Sequence, residues 1–242
     1  RLGLVTNHTG LLPDGRHLAD VLHENTDVEL TLLFGPEHGI RGDADAHVAD
    51  GTDSTTGLPV ISLYGKVRKP TKEMLENIDV LLFDIQDIGA RFYTYIATMN
   101  HVLESAAENN IPYIVLDRPN AIGGEYVDGP VGNHSREPAT GIRQLPVTHG
   151  MTVGELASMF NGERRKKDLP EAKLTVVPME NYTRKQWYDE TGLPWVKPSP
   201  NMLTLTTATL YPATCLLEGT NISEARGTLH PFEHIAAPWL DD

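Results

Sequence analysis

The chain has 242 residues, 40% of them hydrophobic, with a formal charge of -13 and a pI near 5.1. That length and apolar content fill one large α/β domain or one domain with part of another, and the acidic balance argues against an electrostatic grip on nucleic acid. The lone cysteine, Cys215, excludes an internal disulfide or thiolate metal cluster, and no apolar run approaches the roughly 20 residues that span a bilayer.

The first apolar run, Leu2 to Thr6, predicts a strand with Asn7 at its carboxyl end. A helix is predicted near Arg16 to Glu24, then a strand over Val28 to Phe34. That strand runs into Gly35-Pro36-Glu37-His38-Gly39-Ile40-Arg41-Gly42, a turn carrying a carboxylate, an imidazole and a guanidinium. Gly35, Pro36 and Gly39 preset most of its dihedrals, so Glu37 is held at little further entropic cost. Asp43, Asp45 and His47 follow at alternate positions, which suits either a metal site or a plain exposed strand.

A third strand is predicted at Pro59 to Leu63, a short helix opening at Pro70 and Thr71, and a fourth strand at Val80 to Phe83. The fourth leads into Asp84-Ile85-Gln86-Asp87-Ile88-Gly89-Ala90-Arg91. Between Tyr95 and Asn109 the apolar residues Ile96, Met99, Val102, Leu103 and Ala106 recur as one buried helical stripe. The fifth strand, Tyr113 to Leu116, ends in Asp117-Arg118-Pro119-Asn120. Gly123 to Pro146 is too long for a tight connection and is a candidate binding loop. Thr152 and Glu155 form a capping box for a helix to about Asn161, followed by the basic run Arg164 to Lys167, expected as a solvated helix end. Leu174 to Val177 predicts a last strand. The prolines within Trp195 to Met202 forbid a helix there and present Asn201 from an extended loop.

Strands and helices alternate as in a doubly wound α/β fold, and the near-continuous apolar strands predict a mainly parallel sheet buried on both faces. Ligands of such sheets bind outside the carboxyl ends of the strands. Glu37, Asp84, Asp87, Asp117 and Asn7 are therefore expected to crowd one rim. No Gly-x-Gly-x-x-Gly follows a strand, and the Walker loop, the Gly-x-Ser-x-Gly elbow and His-Glu-x-x-His are missing from the sequence. No cofactor is expected.

What remains is carboxylate chemistry among hydrogen-bonding and aromatic groups: His38, Arg91, Tyr93, Tyr95, Arg118, Asn120, His149, Asn201, Glu218, Asn221, Glu224 and Arg226. Such a set suits a sugar. Glycoside hydrolysis needs one carboxylic acid to protonate the leaving oxygen and a second group to attack or stabilise the anomeric centre. Glu37, on an apolar-flanked loop, is the candidate acid. Asp84 and Asp87 are expected to stay ionised beside Arg91, although each arginine serves a structural ion pair equally well. Cys215 is expected as a buried, inert thiol.

Phe34-Gly35-Pro36-Glu37-His38-Gly39, Phe83-Asp84 through Thr94-Tyr95, Leu116-Asp117-Arg118-Pro119-Asn120, His149-Gly150-Met151-Thr152, Ser199-Pro200-Asn201-Met202 and Glu218 through Glu224 together resemble the bacterial exo-β-N-acetylmuramidases. The resemblance implies release of terminal N-acetylmuramic acid from the non-reducing end of peptidoglycan fragments, muropeptides or disaccharides. It implies a Rossmann-like domain with a smaller α/β domain closing one side of the cleft, with Glu37 at the catalytic glutamate's position and no nucleotide. It also implies export to the periplasm, the medium or a lipid anchor, with the signal segment outside this sequence. Ala225 and Ala121 depart from the family pattern, which has glycine and proline there. Residues 1–225 are expected to be the catalytic domain and 226–242 the opening of a truncated second one, leaving Phe232 and Trp239 without their usual partners. A non-catalytic cell-wall sugar-binding module and a metal-dependent hydrolase built on Asp43, Asp45 and His47 are the rival readings.

Overall fold

A computed structural model describes residues 1–42, 49–132 and 142–240. Its strands are β1 (Leu2–Thr6), β2 (Leu30–Gly35), β3 (Gly51–Thr52), β4 (Pro59–Ser62), β5 (Val80–Asp84), β6 (Tyr113–Leu116) and β7 (Leu174–Val177). They form one sheet in the order β3-β4-β2-β1-β5-β6-β7. Every pair is parallel except β3 with β4 at one edge. From β1 the chain moves outward through β2 and β4, returns to β5 on the other side of β1, and moves outward again through β6 and β7. This is the doubly wound arrangement, with its switch point between β1 and β5.

The sheet is buried on both faces, as the apolar runs require. Side chains alternate along each strand, so Leu4, Leu33 and Leu82 enter one core with Ala19 and Ile40, whereas Val5, Phe34, Leu81 and Phe83 enter the other. The first core is covered by helix α1 (Leu18–Glu24), the second by α2 (Tyr95–Asn109) and α3 (Val153–Lys166). The predicted stripe of α2, from Ile96 to Ala106, is fully buried, and the helix stops where Asn110 turns left-handed at φ 57°. The capping box of α3 is present: Thr152 Oγ1 accepts from Glu155 N at 3.2 Å, and Thr152 N donates to Glu155 Oε2 at 2.9 Å.

Three expectations are corrected. Helix α3 runs on through the basic segment to Lys166, and Arg164 is buried within it, donating to the Pro170 carbonyl at 2.7 Å. Helix α4 (Leu205–Thr214) was not foreseen, because threonines and Pro212 mask it; Thr204 caps it by accepting from Thr207 N at 3.0 Å. Phe232 is 1% exposed and packs edge-on against Tyr211 with ring centroids 4.8 Å apart, while Trp239 is 57% exposed. Asp43, Asp45 and His47, and positions 133–141 of the candidate binding loop, lie outside the described residues.

Candidate active site

Glu37 stands just past the carboxyl end of β2. The turn that follows is unusual in its backbone: His38, Gly39 and Gly42 have φ of 70°, 73° and 75°. An L residue enters that left-handed region at a cost, so His38 stores strain next to Glu37. At Gly42 a side chain would also collide, since its Cβ would lie 2.4 Å from Nδ1 of His8. The carboxyl is oriented from two directions. Thr94, at the start of α2, donates from Oγ1 to Glu37 Oε2 at 2.7 Å. The Tyr64 hydroxyl also bonds Glu37, and that bond together with burial pushes the tyrosine's pKa up.

A cleft of about 300 Å³ opens at this point, lined from the sheet side by Glu37, His38, Tyr64 and Phe92 to Thr94. Its opposite wall is Asn201, Tyr211, Cys215, Glu218, Arg226 and Phe232. Edge-on rings form the apolar part: Phe92 and Tyr211 at 5.4 Å, Tyr93 and Tyr95 at 4.9 Å, Tyr93 and Tyr211 at 6.0 Å. Burial drives the hydroxyl pKa values of Tyr93, Tyr95 and Tyr211 upward, so all three stay neutral donors. Arg226 bonds Glu218, lies 3.3 Å from Glu224 and covers the Phe232 ring at 5.2 Å. Cys215 is half-buried in this wall, not fully buried as expected, and burial lifts its thiol pKa to about 11, which leaves it unreactive near neutrality.

The structure brings together Glu37, His38, Tyr93, Asn201, Glu218 and Arg226, with Tyr95 packed behind Tyr93 and Glu224 on Arg226. It separates the others. β1 lies between β2 and β5, and of the segment that follows β5 only Phe92 to Thr94 line the cleft of Glu37, not Asp84 or Asp87. Asp84 is held in a fork by Arg118, Nε to Oδ1 at 2.5 Å and Nη2 to Oδ2 at 3.0 Å. Asp84, Asp117 and Arg118 line a different recess of about 600 Å³. Asp117 caps α3 through Thr152 Oγ1 at 2.8 Å and Gly154 N at 2.8 Å, and burial nonetheless raises its pKa. Asp87 is buried, with Oδ2 accepting from Gly89 N at 2.8 Å and lying 3.7 Å from His149 Nε2. None of these three aspartates lines the cleft of Glu37.

Arg91 is not beside Asp84 or Asp87; its Nη1 donates to the carbonyls of Pro130 and Leu145 at 2.8 and 2.6 Å. Asn7 and Asn120 are interior braces, Asn7 Oδ1 accepting from Thr9 Oγ1 at 2.6 Å and Asn120 Nδ2 donating to the Met151 carbonyl at 3.0 Å. Asn221 is exposed and does not line the cleft. Tyr64, Thr94, Phe92, Tyr211 and Phe232 are site residues that the sequence reading missed. Tyr64 follows β4 as Glu37 follows β2, so the strand-end rule could have found it. Among the described residues no group of three histidine, cysteine or acidic side chains is arranged to hold a metal, and no helix is long and apolar enough to cross a membrane.

The N-terminal profile of exo-β-N-acetylmuramidase NamZ matches residues 2–206, and the C-terminal profile of the same family matches 209–242. The peptidoglycan β-N-acetylmuramidase NamZ of Bacillus subtilis (strain 168) is 53% identical over 242 residues, covering 99% of this chain and 58% of its own length. Two crystal structures of DUF1343 proteins from Bacteroides fragilis NCTC 9343 share the fold. One has a TM-score of 0.92 at 46% identity, covering 100% of this chain and 61% of its own. The other has a TM-score of 0.83 at 40% identity, covering 96% and 60%. The chain thus spans about three fifths of the length of the relatives it matches.

Proposed function

This chain belongs to the exo-β-N-acetylmuramidase family, and from that premise we propose that it hydrolyses peptidoglycan fragments, releasing N-acetylmuramic acid from the non-reducing end. The observation that carries the reading is Glu37 itself: a carboxyl at a strand end, oriented by Thr94 and Tyr64, in a cleft with an aromatic floor. Aromatic faces and edges suit a pyranose ring, and a positioned carboxyl can protonate the glycosidic oxygen as the bond breaks.

Glu37 is the general acid in this proposal. The second role falls within the same cleft, where Glu218 is the other lining carboxylate among the described residues, and not to Asp84 or Asp87. Muramic acid differs from N-acetylglucosamine by a lactyl ether bearing a carboxylate, which a guanidinium recognises well. Of Arg91, Arg118 and Arg226, Arg226 lines the cleft and keeps 49% of its side chain exposed. We assign it the lactyl group. A cell-wall substrate suits an exported protein with a role in cell-wall turnover and recycling.

Release of muramic acid from a defined N-acetylmuramyl disaccharide, with and without a chelator, tests the reading. Chelator-insensitive release supports it. Binding without turnover would leave a sugar-binding module, and loss of activity with chelator would point to a metal hydrolase.

A further inference from the structure

We propose that Arg41 is the positioning residue for Glu37: its guanidinium ties the turn that carries Glu37 to two other parts of the fold and so aims the carboxyl into the cleft. The proposal rests on the reading of Glu37 as the general acid.

The turn from Pro36 to Gly42 needs outside support. Three of its residues are left-handed, one of them not a glycine, and such conformations persist only where the surroundings over-determine them. Its backbone supplies a hydrogen bond from Gly39 N to the Pro36 carbonyl at 3.1 Å. Ile40 anchors it from below, 5% exposed in the core with Leu4, Ala19 and Leu33. Arg41 anchors it laterally through both sides of its guanidinium. Nε and Nη2 donate to the two oxygens of Asp53 at 2.8 and 2.7 Å, and Nη2 and Nη1 donate to the two oxygens of Asp20 at 2.6 and 3.3 Å. Asp20 belongs to α1. Asp53 follows β3 and is itself fixed by Thr56, whose N and Oγ1 donate to it at 2.9 and 2.8 Å.

Two features separate this from an ordinary ion pair. The Asp53 side chain is 2% exposed and that of Arg41 is 23% exposed. Charges so far from water lose much of their mutual attraction to desolvation, so a buried pair often adds little stability over an apolar replacement. What a planar fork between two carboxylates does supply is geometry, which a lysine cannot reproduce. Arg41 also stays out of the Glu37 cleft, lining instead a recess of about 230 Å³ on the far side of His38. Its influence on chemistry therefore runs through the turn, and displacement of a reacting group by about 1 Å can cost on the order of a hundredfold in rate.

The test compares Arg41→Lys, Arg41→Ala and Asp20→Asn with wild type by hydrogen–deuterium exchange and by steady-state kinetics on an N-acetylmuramyl disaccharide. Arg41→Lys should raise exchange in residues 35–42 while leaving β1 and β5 as protected as before. It should lower kcat by about ten- to a hundredfold, with KM changed by less than about threefold. Asp20→Asn, which loosens one of the two anchors, should act in the same direction and more weakly. Wild-type kcat in Arg41→Lys, unchanged exchange in the turn, or an equal rise across the whole sheet would each overturn the proposal. Should wild type itself prove inactive, the muramidase reading fails, and the exchange measurement alone still decides whether Arg41 fixes the turn.

Discussion

Thr94 Oγ1 donates to Glu37 Oε2 across 2.7 Å, joining the first residue before α2 to the turn after β2, 57 positions apart in the chain. The bond ties the Glu37 carboxyl to the start of α2. Glu37→Gln should lower turnover by about two to four orders of magnitude, the worth of general acid catalysis, with a much smaller change in ligand affinity. Thr94→Val should lose about two- to tenfold in kcat, as expected for one ordinary hydrogen bond. Kinetics and circular dichroism of both variants check this; more than about a tenth of wild-type activity in Glu37→Gln would move the acid elsewhere.

Arg226→Ala should weaken a muramyl substrate by roughly 1.5–3 kcal/mol and erase its preference over the matching N-acetylglucosaminyl compound. Arg91→Ala and Arg118→Ala should keep that preference and lose stability instead, because their guanidiniums already serve carbonyls and Asp84. The ratio of kcat/KM for the two sugars decides, and an unchanged ratio in Arg226→Ala would remove the arginine from recognition.

The clamp also predicts how stability varies with pH. Bonding to Arg41 holds the Asp53 pKa below the usual carboxylate range, against the opposing effect of burial. A depressed folded pKa means that ionised Asp53 stabilises the fold fully above its unfolded value, about 3.9, and that this contribution is lost as pH falls toward the folded value. Asp53→Asn should therefore be less stable than wild type at pH 5 to 7, by on the order of 1–3 kcal/mol. The gap should narrow below about pH 4. Urea unfolding of both proteins across pH 2 to 7 would show it, and a gap independent of pH would contradict it.

Ala225 has a left-handed backbone, with φ at 60°. The methyl group pays a steric cost there that glycine does not. Ala225→Gly should raise stability by up to about 1 kcal/mol, the relief of strain outweighing the added freedom of the unfolded chain. Thermal unfolding gives the answer, and a lower Tm would mean that the neighbouring contacts of this alanine outweigh its backbone strain.

Much of the architecture was legible in the sequence because it is written in short-range patterns. Strands buried on both faces appear as apolar runs, the stripe of α2 as a period of 3.6, and the capping box of Thr152 and Glu155 as two residues three positions apart. Glu37 was legible for the same reason, since a glycine- and proline-bound turn at a strand end is a local feature. Helix α4 was not, because threonine and Pro212 suppress the local signal while burial of Ala208 and Tyr211 supplies the missing stability from elsewhere in the fold.

The partners of each charged group were decided by tertiary structure alone. Asp84 has Arg91 seven positions away in the chain, yet its ion pair is with Arg118, at the end of the adjacent strand β6. Glu37 and Asp84 both end strands of one sheet, but β1 between β2 and β5 puts them in separate recesses. Strand order depends on long-range packing, which a local pattern does not encode, and a hydrogen bond depends on distances of about 3 Å that only the assembled fold sets. Hence the sequence by itself determined which residues could do chemistry at the rim, and the tertiary structure decided which of them meet.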